Sequence, residues 1–239
     1  MSSHSETVEN DEKTGNGLKW LLLVLLLVLI AAVAFYFMGT TVHQSEKESS
    51  TEVAETSVKV ETPAPVTTAT GTVDTSGNYI YDLGKIITIE LPNGAGVLKV
   101  GENSTESRLY KFLSNPAANI DTVKGNWFEF TNVRFVTGGA KIDSGSTAQL
   151  TNIVALSKGL PAASFKLGGY TDNTGDSIAN VVLSQKRAEA VLAALKKMGI
   201  SSKALTGAKG YGPQFPIGDN ATTLGKAMNR RVAINVKSK

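Results

Sequence analysis

The chain contains no cysteine, and its 239 residues include two histidines. Without thiols it forms no disulfide, runs no thiol chemistry and takes no lipid through an N-terminal cysteine. His4 and His43 both precede the part that reads as folded, which leaves metal binding and histidine catalysis little to work with. No convergent acid pair suggests a hydrolase, so neither an enzyme nor a cofactor is expected. Aromatic residues make up 7% of the chain, too few near its basic clusters to stack nucleic-acid bases. There is no internal repeat.

What the chain does have is unevenly spread. Trp20–Met38 runs nineteen residues without a charge, about the length that crosses a ~30 Å hydrocarbon core. We read it as a single membrane-spanning helix behind a cytoplasmic tail, residues 1–19. Lys13 and Lys19 precede it and an acidic segment follows, which favours an N-terminus in the cytoplasm. The competing reading is a signal peptide cleaved after Ala34. Residues 39–78 are rich in Ser, Thr, Glu and Val, with six acidic and two basic side chains. They read as a disordered tether, spanning roughly 35 Å as a coil and up to roughly 140 Å extended. From 79 onward the balance reverses: twenty Lys/Arg face eleven Asp/Glu, a net of +9 within a chain total of +3. A basic domain on an acidic leash suits an anionic partner.

Within 79–125, alternation on both sides of Pro92-Asn93-Gly94 predicts a hairpin over 86–100, and 104–113 reads as a brief helix. The role of this segment is not evident from its residues. From 126 the rhythm is clearer. WFEFTNVRF (127–135) alternates as a strand, and Ser146…Gln149 has capping-box spacing before a helix that Gly159 and Pro161 stop. SFKLGGY (164–170) reads as a second strand. Residues 180–195 form a second helix, a short strand lies near 204–209, and RRVAINV (230–236) alternates again. This order predicts an α/β sandwich with two helices covering one sheet.

The second helix poses a problem. At about 100° per residue, Ser184, Arg187 and Val191 fall within about 40° of Asn180, on the face that should look inward. An unpaired buried guanidinium costs several kcal/mol, and Asp172, in the loop before the helix, is the evident partner. One reading is a plain Asp172–Arg187 salt bridge that pins the loop. The other is a polar pocket beside a helix N-terminus, offering a carboxylate to an ammonium, and a guanidinium fork and backbone N–H groups to carboxylates.

Four motifs in order, GYTDNTG (169–175), N-x-x-L-S-x-x-R-A-x-x-V-x-x-x-L (180–195), GYG…P (210–216) and NATTLGKAMNRRV (220–232), resemble the OmpA-like peptidoglycan-binding domain. The resemblance covers roughly 127–237 and implies a β-α-β-α-β-β fold. It also implies that Asp172 and Arg187 grip the diaminopimelate of the peptidoglycan stem peptide, with Thr174, Asn180 and Arg230 helping to line the pocket. Tyr170 and Val136 stand where many members carry His and Asp.

The reading that follows is a periplasmic domain, residues 126–239, binding peptidoglycan non-covalently while the N-terminal helix holds the inner membrane. Nucleic acid is not an expected partner. A stator-like, ion-driven machine shares this organisation but needs an ionisable group in its membrane helix, and Trp20–Met38 has none.

Overall fold

The computed structural model describes residues 71–239. The tail, the apolar run at 20–38 and the tether up to residue 70 lie outside the described residues. Among the described residues, no helix is long and apolar enough to cross a membrane.

The first described element overlaps the end of the expected tether. β1 (Gly71–Val73) pairs antiparallel with β2 (Tyr79–Tyr81), so 71–78 belong to the folded part. Asp74 builds the turn between them. Its Oδ1 accepts from the N–H groups of Ser76 (2.9 Å) and Asn78 (2.8 Å), and its Oδ2 from Asn78 Nδ2 (3.1 Å). Such a side-chain-closed turn is what Asp, Gly and Asn favour. Strands of three residues are too short for alternation to betray them.

The segment after β2 follows expectation in form. β3 (Ile86–Leu91) and β4 (Gly96–Gly101) make the hairpin, and α1 (Thr105–Ser114) starts at Ser104, whose hydroxyl caps the Ser107 N–H. Its role is now apparent, because it shares the core of the rest of the domain. Ile89, Leu91, Leu98, Val100, Leu109 and Leu113 belong to one apolar cluster with Leu150, Ile153 and Leu156.

The central sheet has the order β5-β8-β6-β7, built from β5 (Asn126–Glu129), β6 (Ser164–Gly169), β7 (Leu205–Gly210) and β8 (Val232–Ser238). β8 runs antiparallel to both β5 and β6, while β6 and β7 are parallel. Between the strands come α2 (Thr147–Gly159), α3 (Ser177–Lys197) and α4 (Thr223–Asn229). The expected order of strands and helices is therefore present. The addition is α4, a short helix inside what reads as a long turn, capped by Thr222 on Gly225 N–H. Leu195, Val191 and Ala188 of α3 are fully buried with Phe165, Leu167 and Ile234 of the sheet. Each large apolar side chain so placed contributes about 1.5–3 kcal/mol before chain entropy is counted.

The start of α2 differs from the capping-box expectation. Ser146 precedes the helix but makes no side-chain cap; its hydroxyl accepts the Arg134 N–H at 2.9 Å instead. Gln149 Oε1 accepts the Asn132 N–H at 2.7 Å, and its Nε2 donates to Glu106 Oε2 (2.8 Å) and Thr131 Oγ1 (2.9 Å). Asn152 donates to the other Glu106 oxygen at 3.0 Å. Both residues that suggested a cap thus hold the β5–α2 loop, and Gln149 and Asn152 satisfy the buried Glu106 carboxylate. A buried charge is tolerated only when bonded in this way.

On the opposite face of the sheet lies an aromatic group. Tyr170 and Tyr211 stack with ring centroids 5.1 Å apart, and Trp127 meets both edge-on. The Arg231 guanidinium sits 3.9 Å from the Tyr170 ring centroid. Tyr170 therefore belongs to this packing, so its presence in place of His changes the sheet face and not the lining of the cleft described next.

Candidate functional site

The close approach of α3 to the sheet depends on two strand-end glycines. A Cβ on Gly169 would fall 2.1 Å from the Ser184 carbonyl oxygen, and one on Gly210 would fall 2.3 Å from the Gln185 nitrogen. With hydrogen in those places, the second turn of α3 lies directly on the sheet ends. Ser184 (0% exposed) donates to the Val181 carbonyl and accepts the Gly212 N–H, both at 2.9 Å. Arg187, one turn on, is 9% exposed. The inward-facing polar residues of this helix are thus real for Ser184 and Arg187. Asn180 is half-buried and serves the loop, donating to the Thr174 carbonyl at 2.9 Å.

The partner expected for Arg187 goes elsewhere. Asp172 pairs with Arg230, Oδ2 to Nη1 at 2.5 Å, and no Asp172–Arg187 ion pair forms among the described residues. Arg187 Nε instead donates to the Gly139 carbonyl at 2.9 Å, and its guanidinium lies 5.2 Å from the Phe135 ring centroid. The reason is positional: Arg230 closes α4 immediately before β8, beside the Asp172 loop, and its other nitrogen reaches the Gly77 carbonyl at 2.5 Å. Asn229, 0% exposed, secures this corner by accepting from Ile217 and Gly218 N–H and donating to the Gly218 carbonyl. Thr174 is exposed and takes part through its backbone, donating N–H to Asp172 Oδ1 at 2.9 Å.

Burial pushes the Asp172 carboxyl up, but the Thr174 N–H and the Arg230 guanidinium outweigh it and hold the group below its usual range. Burial pulls Arg187 down, the nearby Arg230 charge adds to the effect, and Asp172 offsets part of it. Arg187 is therefore a cation held without an acid of its own.

Arg187 and Arg230 border a cleft of about 140 Å³ also lined by the β1–β2 turn (Ser76–Asn78), residues of the loop from Phe130 to Gly138, and Arg231; Asp172, Thr174 and Asn180 are not among its lining residues. Val136 points to solvent at 49% exposed and does not line it. The start of α3 is less open to anions than expected. Asp176 caps it, accepting the Ala179 N–H at 2.7 Å and placing a negative charge there. Sequence reasoning missed the β1–β2 turn, the Gly139 carbonyl and Arg134. The first had a signal in Asp74-x-x-Gly77-Asn78, whereas the others follow from how the β5–α2 loop folds back.

Residues 134–230 match the family model described as the OmpA family. The C-terminal region is an OmpA-family domain. It is 37% identical over 105 residues to the probable lipoprotein YiaD of Escherichia coli K12, covering 44% of this chain and 48% of that protein. It is 36% identical over 104 residues to the peptidoglycan-binding protein ArfA of Mycobacterium tuberculosis, covering 44% of this chain and 32% of that protein. Among solved structures, the peptidoglycan-associated lipoprotein from Burkholderia pseudomallei aligns at 28% identity and a TM-score of 0.41, over 44% of this chain and 89% of that one. The match thus spans about half, or less, of the curated relatives' length. The matched residues include Asp172, Thr174, Asn180, Arg187 and Arg230, whereas β1–β5 and α1 precede them and β8 follows them.

Proposed function

We propose that this chain attaches the cell envelope to peptidoglycan by non-covalent binding, without catalysis. The ligand is the diaminopimelate side chain of a stem peptide, whose free end carries one ammonium and one carboxylate. Asp172 accepts the ammonium and Arg187 forks the carboxylate. Arg230, already on Asp172, orients that carboxylate group, and Asn180 and Thr174 fix the loop between them. The observation that carries this reading is Arg187: a buried cation at a cleft, one nitrogen on a carbonyl and, among the described residues, no ion pair with an acid. Such a group is costly to keep unless a ligand anion completes it. A relative named for peptidoglycan binding supports the ligand class. In this reading the apolar run at 20–38 is an inner-membrane anchor, with the N-terminus in the cytoplasm and the binding domain in the periplasm.

The test is co-sedimentation of the full chain, in detergent micelles, with purified diaminopimelate-type sacculi. Asp172→Ala and Arg187→Ala should each abolish most of the pelleting while remaining folded by circular dichroism. If both folded variants pellet like the parent, the pocket assignment is wrong.

A further inference from the structure

The cleft carries more positive charge than one carboxylate ligand would use. Four arginines line it, Arg134, Arg187, Arg230 and Arg231. Of the two ion pairs among the described residues, one involves this set, Arg230 with Asp172. Arg231 is committed elsewhere: it stacks on Tyr170 and donates to the Phe215 carbonyl at 3.0 Å. Arg134 has no such commitment. Its backbone is fixed on both sides, N–H to Ser146 Oγ at 2.9 Å and carbonyl to Asp143 N–H at 2.9 Å, so the side chain is presented from a rigid loop. Its Nε is nevertheless buried without a hydrogen-bond partner. Asp74, an acid of the β1–β2 turn, is occupied in closing that turn and feels Arg134 only as the least of its influences.

We propose that the mouth of the cleft, between the β1–β2 turn and the β5–α2 loop, is a second anion subsite in which Arg134 takes a second carboxylate of the same ligand. This rests on the peptidoglycan reading, and the second group is then the C-terminal carboxylate of an uncrosslinked stem. The capped start of α3 cannot serve that group well, because Asp176 already supplies a negative charge there. A ligand with two negative charges also offsets the repulsion that Arg230 exerts on Arg187 more fully than a ligand with one. The β1–β2 turn forms the far wall.

The experiment is calorimetric titration of the full chain, in micelles, with two synthetic diaminopimelate tetrapeptides. One has a free C-terminal carboxylate and the other a C-terminal amide. The parent should bind the free acid about tenfold more tightly, the scale of one charge-assisted bond. Arg134→Gln should bind both peptides equally, at the parent's affinity for the amide, and Arg134→Lys should restore part of the preference. Equal binding of both peptides by the parent, or an undiminished preference in Arg134→Gln, overturns the second subsite and leaves the Asp172–Arg187 pocket standing. Failure of the parent to bind either peptide overturns both.

Discussion

Replacing Arg187 with methionine should make the domain more stable while removing its function. The guanidinium is 9% exposed, has one hydrogen bond to the half-buried Gly139 carbonyl and faces the Phe135 ring. The hydrogen bond contributes about 1 kcal/mol, and water can replace it on a half-buried carbonyl. The ring contact contributes about 0.5–1 kcal/mol, and a methionine sulfur against the same ring recovers about 0.3–1.5 kcal/mol. Against these small losses stands the desolvation of a cation that makes no ion pair among the described residues, several kcal/mol in such settings. The sign follows from its lowered pKa: a base that binds its proton less tightly when folded carries its charge at the expense of stability at neutral pH. The net expectation for Arg187→Met is a gain of about 1–2 kcal/mol, or about 2–4 °C in Tm per kcal/mol for a domain of this size. Urea unfolding followed by near-ultraviolet circular dichroism of the Trp127–Tyr170–Tyr211 group measures it, with sacculus pelleting in parallel. A loss of 1 kcal/mol or more in Arg187→Met would refute the view that this cation is kept for a ligand.

Three further outcomes follow from the same contacts. In a double-mutant cycle on the ligand-free protein, Asp172 and Arg230 should couple by about 1 kcal/mol, modest because the Arg230 side chain is 32% exposed. Asp172 and Arg187 should couple by less than about 0.5 kcal/mol; a stronger coupling there would restore the direct salt bridge. Gln149→Leu should destabilise by about 2–4 kcal/mol, since a Glu106 oxygen loses its donor and the Asn132 N–H its acceptor, and a change under about 1 kcal/mol would show the network to be incidental. Because the Asp172 pKa is depressed below 3.8, its stabilising share is complete above that value and fades as pH falls through the folded pKa. The parent should therefore lose, as the pH falls below about 4, an increment of stability that Asp172→Asn lacks at every pH; parallel acid limbs for the two proteins would contradict it.

The architecture was legible from alternation and helix punctuation, because β6, β8, α2 and α3 are long enough for their periods to register. The inward orientation of Arg187 was legible too, since helix geometry alone fixes it. Its partner was not. Whether Asp172 meets Arg187 or Arg230 depends on where α4 ends, and α4 spans seven residues in a segment that reads as a turn. The Ser146…Gln149 spacing misled for a related reason: a hydroxyl and an amide that can cap their own helix can equally bond a loop folding back over it. Asn180 shows the limit of a helical wheel near a helix start, where the facing elements have not yet closed over the side chain.

The most direct measurement of the central claim is the affinity of the full chain for soluble stem tripeptides that differ at the third residue. One carries diaminopimelate and the other lysine, which keeps the ammonium and lacks the carboxylate. The account predicts that the lysine peptide binds at least about tenfold more weakly to the parent, and that Arg187→Met removes the difference. Equal affinity of the parent for the two peptides would contradict it, because Arg187 would then have no anion to meet.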